Sequence, residues 1–188
     1  MKKRKIISRQ IPLLILWLMA SALLWSFILN IITDTDAAHK LVVYADTQVT
    51  NATELAVKLE ENKPEAIRMV RVRPFTYAMM GADELAHADL LLVPEADFEN
   101  YPDWFASVPD SLRTAGTLYE QDGEPLGMLV FDPETDSPDK QHWFALDAQR
   151  YYLAFGLHSL HVPGVEDAVD DAAVDCASRL LTLLNGTE

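Results

Sequence analysis

A single cysteine, Cys176, serves 188 residues. No disulfide can close within the chain, so its folded part must rest on an apolar core. Basic residues are scarce beyond the first ten positions. Lys2, Lys3, Arg4, Lys5 and Arg9 lie there, and ten Lys and Arg remain from residue 33 onward against all 29 Asp and Glu, a formal charge of −19 over 156 residues. That excess keeps a domain soluble and disfavours phosphate backbones and anionic lipid headgroups, so no nucleic-acid partner is expected. The chain also lacks a nucleophile elbow, a P-loop and a dinucleotide fingerprint. Without those signatures neither an enzyme nor a bound cofactor is expected.

What the chain does have is one long apolar run. Residues 11–32 contain only Ser21, Ser26 and Asn30 as polar side chains. At 1.5 Å rise per residue, about 20 apolar residues cross a hydrocarbon core of about 30 Å. Because Lys and Arg stay on the cytoplasmic side, residues 1–10 are expected inside, 11–32 in the bilayer and the rest outside. Ala20-Ser21-Ala22 has the small-x-small form of a signal-peptidase site. The apolar run continues ten residues past it, however, whereas a cleaved signal ends its apolar core at the site. An uncleaved signal anchor in the cell membrane is the expectation.

Residues 33–40 are polar and aperiodic, a short tether. Residues 41–188 then have the length of one domain. Leu41-Val42-Val43-Tyr44-Ala45 is a continuous apolar run of the kind buried on both faces of a parallel sheet. Asn51 and Glu54 form a capping-box pattern ahead of the helical face Ala52, Leu55, Ala56 and Leu59, which stops at Pro64. Residues 67–73 read as a second strand interrupted by Arg68, Arg71 and Arg73, either an edge strand guarded by charge or an anion-binding patch. A short helix is expected over residues 82–87, and a third strand over Ala88-Asp89-Leu90-Leu91-Leu92-Val93. Strand, helix, strand, helix, strand argues for a parallel α/β core. Asp122-Gly123 predicts a two-residue type I′ hairpin turn, and Tyr151-Tyr152-Leu153-Ala154-Phe155 a last strand. A closing helix is marked by Val165, Val169, Ala172, Ala173, Cys176, Leu180, Leu183 and Leu184 at helical spacing. The expected fold is a transmembrane helix followed by a three-layer α/β domain with a mostly parallel sheet and a hairpin.

These residues resemble a known family. Leu41-Val42-Val43-Tyr44 with its polar turn and the Glu54-Leu55-Ala56 helix, Ala88-Asp89-Leu90 running to Pro94-Glu95, and the Asp122-Gly123 hairpin before Tyr151-Tyr152-Leu153 are similar to the extracellular solute-binding proteins of bacterial ABC importers. The resemblance implies a periplasmic-binding-protein-like lobe linked to transport. Members close two lobes on a ligand; the length here holds one.

In open α/β sheets ligands bind beyond the carboxyl ends of the strands, near the switch point. If the first and third strands are neighbours, Asp46, Thr47 and Gln48 stand beside Glu95 and Asp97. Thr50 and Asn51 open a helix, where free N–H groups favour an anion, and Tyr77 and Trp104 offer apolar walls. Ionised Asp46, Glu95 and Asp97 only accept hydrogen bonds, which suits a cationic or hydroxyl-rich solute. Asp132, Glu134 and Asp136 alternate like calcium ligands, but Trp143 takes the place of the twelfth-position Glu. His158 and His161 have no matching acid at zinc spacing, and Cys176 sits on an apolar helix face without a base. No metal is expected. Two functions fit: a membrane-anchored module that presents or senses a small solute, or a non-catalytic protein that docks on another membrane or exported protein.

Overall fold

The computed structural model describes residues 2–33, 35–61, 63–76, 85, 87–136 and 142–186. They form two compact units, residues 1–35 and 36–188. The first is helix α1 (Lys2–Thr33). Large apolar side chains along it, including Ile11, Leu14, Trp17, Leu18, Leu23 and Trp25, are more than half exposed. Among the described residues no helix is long and apolar enough to cross a membrane.

The second unit is a mixed α/β domain. Its sheet contains β1 (Lys40–Ala45), β2 (Met69–Pro74), β3 (Leu90–Pro94), β4 (Phe105–Ala106), β5 (Leu118–Gln121), β6 (Glu124–Phe131) and β7 (Tyr151–Gly156) in the order β2-β1-β3-β7-β6-β5, with β4 pairing the end of β7. β1 runs parallel to both β2 and β3. From β7 outward every pairing is antiparallel. The parallel core is therefore three of the seven strands, so the sheet is mixed rather than mostly parallel, and β2 with its arginines lies at its edge, as an edge strand would.

Residues 41–45 of β1 and all of β3 and β7 are apolar and buried because both faces are covered. Leu41, Val43 and Ala45 join one core cluster and Val42 and Tyr44 the other. On the first face lie α2 (Ala52–Glu60), through Leu55 and Leu59, and the closing helix α4 (Ala172–Leu184), through Ala172, Ala173, Cys176, Ala177, Leu180 and Leu184. The second face is covered by the short helix α3 (Ala96–Asn100) and an aromatic cluster centred on Phe98. Its ring stacks on Tyr119 at 4.3 Å and meets Phe105 at 4.6 Å and Tyr152 edge-on at 5.7 Å. The hairpin forms as its sequence demands, with Asp122 at φ 54° and Gly123 at φ 86°, both left-handed as a type I′ turn requires.

Two local readings differ from the structure. The closing helix starts at Ala172 rather than near Val165: Asp167 adopts φ 67° and Val169 is 64% exposed, so the earlier apolar positions belong to a loop. Asn51 does precede α2, and its carbonyl accepts Leu55 N–H at 3.0 Å, but its side chain makes no capping bond. The expected helix over residues 82–87 lies largely outside the described residues.

Candidate functional site

β1 and β3 are hydrogen-bonded neighbours, so Asp46 and Glu95 leave adjacent strands at one carboxyl edge. Backbone bonds fix both exits. Asp46 N–H donates to Leu92 O at 2.8 Å, and Glu95 N–H to Arg150 O at 3.2 Å.

The two halves of this edge then diverge. On the β1 side the loop is covered by the chain itself. Thr47 Oγ1 donates to Ala145 O at 2.5 Å, Ala145 N–H to Gln48 O at 2.9 Å, and Thr50 N–H to Trp143 O at 2.8 Å. Val49 and Phe144 form an antiparallel bridge, and Phe144 and Trp143 are buried. The backbone donor at Thr50, which a helix N-terminus would otherwise offer to an anion, is thus already spent. Residues 143–146 are a segment far away in sequence whose apolar members Trp143, Phe144 and Leu146 are held by the core. Nothing in the loop after β1 announces them.

On the β3 side Glu95 and Glu99 are exposed, whereas Asp97 is buried, 2% exposed, on the inner side of α3. A helix alternates its faces at this spacing, so Asp97 is beneath the surface on which a solute would lie. Burial raises the phenol pKa of Tyr119, and the charges of Glu99 and Glu95 raise it further; burial and then Glu95 do the same for Tyr152. Arg150 Nε donates to Asp132 Oδ2 at 3.1 Å, and that carboxylate raises the guanidinium pKa. Tyr101 stacks on Trp104 at 4.6 Å, with Phe75 edge-on to Trp104 at 5.8 Å; Phe75 belongs to the second core cluster, and Tyr101 and Trp104, partly buried, pack against it. Tyr77 lies outside the described residues.

The alternating acids of residues 132–136 bond to their own backbone. Glu134 N–H donates to Asp132 Oδ1 at 3.0 Å and Asp132 N–H to Asp136 Oδ2 at 2.8 Å. Among the described residues no group of three or more His, Cys, Asp or Glu is placed to hold a metal ion. Burial pushes the Cys176 thiol up to about 12, where it stays protonated and unreactive near neutral pH.

A buried polar network lies at the opposite, amino edge of the parallel strands, unannounced by spacing. Asp89, just before β3, accepts Val42 N–H at 2.7 Å and the Ser159 hydroxyl at 2.5 Å. Ser159 Oγ in turn accepts His161 N–H at 3.0 Å, and His161 Nδ1–H donates to Asp170 Oδ1 at 2.7 Å. Asp89, Ser159 and His161 are 2%, 0% and 1% exposed. Burial lifts the Asp89 carboxyl to about 6 against the lowering pull of Ser159, Val42 and His161. A serine, a histidine and two aspartates invite comparison with a nucleophilic triad. The geometry is not that of a triad: the Ser159 proton points to the Asp89 carboxylate and the His161 ring faces Asp170 and Ala37 O, so the imidazole does not address the hydroxyl.

A groove of about 850 Å³ opens beside β4, lined on one side by Ser107, Arg113, Glu124 and Leu126 and on the other by Leu157 and Glu166. Arg113 is anchored there by Val108 O at 3.1 Å and by the Ser107 hydroxyl at 3.4 Å. Comparison of the chain with family models, with curated proteins and with solved structures finds no match in any of the three.

Proposed function

We propose that this chain is a membrane-anchored, extracytoplasmic module that works by non-catalytic docking on another membrane or exported protein, built on a single solute-binding-like lobe. The observation that carries this reading is the cover over the β1 loop. Residues 143–146 cover the β1 half of the carboxyl edge, with Thr47, Gln48 and Thr50 bonded to them, and the covered half leaves no crevice for a trapped solute. The groove beside β4 suits a partner better. It mixes apolar Leu126 and Leu157 with charged Arg113, Glu124 and Glu166, the composition of a protein-facing surface with a polar rim.

The anchor is the apolar run of residues 11–32 behind five basic residues. Its support is the exposure of Leu14, Trp17, Leu18 and Trp25, which find no protein cover. Protease supplied to the outer face of intact cells should digest residues 33–188 and spare the N-terminal ten; a mature chain beginning at Leu23 would instead mean a cleaved signal.

A second reading, a solute held on the β3 side, draws support from exposed Glu95 and Glu99 beside the Tyr119 ring. A thermal-shift screen of the full chain in detergent separates the two. A solute at 100 times its dissociation constant adds about 2.7 kcal/mol, roughly 5–10 °C for a domain of this size. Docking predicts no such shift from cationic, hydroxylated or anionic solutes, together with one discrete cross-linked adduct in intact membranes from a photoreactive residue at Leu157 and none from one at exposed Val57. A solute that does shift the melt, and loses that effect in the double variant Asp46→Asn, Glu95→Gln while the unliganded melting temperature holds, establishes the solute reading.

A further inference from the structure

The buried network at the amino edge reaches the tether. His161 Nε2–H donates to Ala37 O at 3.1 Å, while Nδ1–H donates to Asp170 Oδ1 at 2.7 Å. Ala37 opens the 3-10 turn Ala37–His39 that leads into β1, and it stands four residues after the end of α1. Both ring nitrogens therefore face oxygens that can only accept. A neutral imidazole carries one N–H and leaves one of these acceptors unserved; the imidazolium serves both.

We propose that His161 is a protonation-operated latch that fastens the strap of residues 36–39 to the domain and releases it as the proton leaves. The two bonds are unequal. Asp170 is a carboxylate, and the same oxygen accepts Ala172 N–H at 3.0 Å at the start of α4, so the proton that remains after deprotonation stays on Nδ1 and the Ala37 bond is the one lost. Releasing Ala37 lengthens the free tether between anchor and domain by the span of the strap, and so changes how far from the bilayer the domain can reach.

The groups facing His161 set the direction of the pH response. Burial opposes its charge, but the Asp89 carboxylate, the Asp170 hydrogen bond and the Ala37 carbonyl outweigh that opposition and raise the imidazole pKa. From α4, Cys176, which feels the same Asp89 carboxylate, is buried and stays neutral. A histidine whose folded pKa is raised contributes stability fully present below its ordinary value of about 6.5 and lost as pH rises through the higher folded value. The strap is therefore closed in mildly acidic medium and opens on the alkaline side. Asp89, raised to about 6, titrates at the lower end of this window. Its ionisation adds the negative charge that holds the imidazolium.

The test uses the full chain in detergent, with two readouts on the unmodified protein. In a titration of ¹⁵N-labelled histidine, the assigned His161 ring should keep both ring protons to a pH above the ordinary histidine value of about 6.5. Hydrogen exchange of residues 37–42, corrected for the intrinsic rate, should lose roughly tenfold protection from about pH 6 to about pH 9, the loss of one charge-assisted hydrogen bond, with the same midpoint. A His161 ring that loses a proton within the ordinary range overturns the latch, as does a raised titration with flat strap protection. In His161→Gln the strap should exchange fast at every pH, and a surviving pH-dependent step there overturns the proposal. If that variant does not fold, the two wild-type readouts decide.

Discussion

Val43→Asp is expected to leave no stably folded domain. Val43 lies in the middle of β1, is fully buried, and pairs with Val72 of β2 on one side and Leu90 of β3 on the other. Its side chain enters the cluster that contains Leu55, Leu90 and Leu180. The side chains of that cluster are hydrophobic, so an aspartate among them is a carboxylate stripped of water, or one protonated at a heavy cost. Changes of this kind fall in the exceptional class above about 4 kcal/mol, a large share of the roughly 5–15 kcal/mol that holds a whole domain together. With no disulfide in reserve, the melting temperature should drop by roughly 10–20 °C or the cooperative transition should vanish. Val43→Ala is the control: it deletes two methyl groups and should cost about 2 kcal/mol. Equal melting temperatures for Val43→Asp and the parent in a calorimetric scan would mean that β1 is not internal.

That β1 is internal was legible from Leu41-Val42-Val43-Tyr44-Ala45 alone, because only a strand covered on both faces can be apolar at successive positions. The same logic located β3 and β7, and Asp122-Gly123 gave the hairpin because few other residue pairs tolerate two left-handed positions in a row. The direction of β7 was not legible. Tyr151-Tyr152-Leu153-Ala154-Phe155 reads the same whether it enters the sheet parallel or antiparallel, and its placement beside β3 depends on pairings some sixty residues apart, Leu92 with Leu153 among them.

The candidate site divides along the same line. That Asp46 and Glu95 share an edge follows if the first and third strands are neighbours, and β1 does pair with β3. What covers Thr47 and Gln48 is a segment nearly a hundred residues on, and the Asp89, Ser159, His161 and Asp170 network joins points separated by 70 residues in one bond and 124 in another. Side-chain hydrogen bonds at such distances leave no periodicity behind. One signal was available: Asp89 sits inside an otherwise apolar strand run, and a carboxylate in such company needs a buried donor.

Gly156→Ala is expected to be the most damaging of the smallest substitutions, and it tests the junction on which both the sheet and that network depend. Gly156 ends β7, pairs with Phe105 of β4, and sends its N–H to Asp89 O at 3.2 Å. Its φ is not left-handed, so backbone conformation is not what demands glycine. Proximity is: a Cβ built on Gly156 would lie 1.9 Å from Ala88 O and 3.1 Å from Ala88 C. A side chain in the way could rotate, but a carbonyl of the main chain just ahead of β3 moves only if the strand does. Overpacking ordinarily costs about 1–3 kcal/mol, more when backbone must shift, so the upper end is expected here, with the melting temperature lower by roughly 6–12 °C. The shift would also disturb Asp89, whose carboxylate holds Val42 N–H and the Ser159 hydroxyl, so strap protection should fall with stability. Gly116→Ala supplies the comparison, since nothing lies within 4 Å of a Cβ there; it should be neutral or stabilise by about 0.4–1 kcal/mol by restricting the unfolded chain. If Gly156→Ala melted within about 2 °C of the parent, β7 and the approach to β3 would not be in the contact on which the amino-edge network is built.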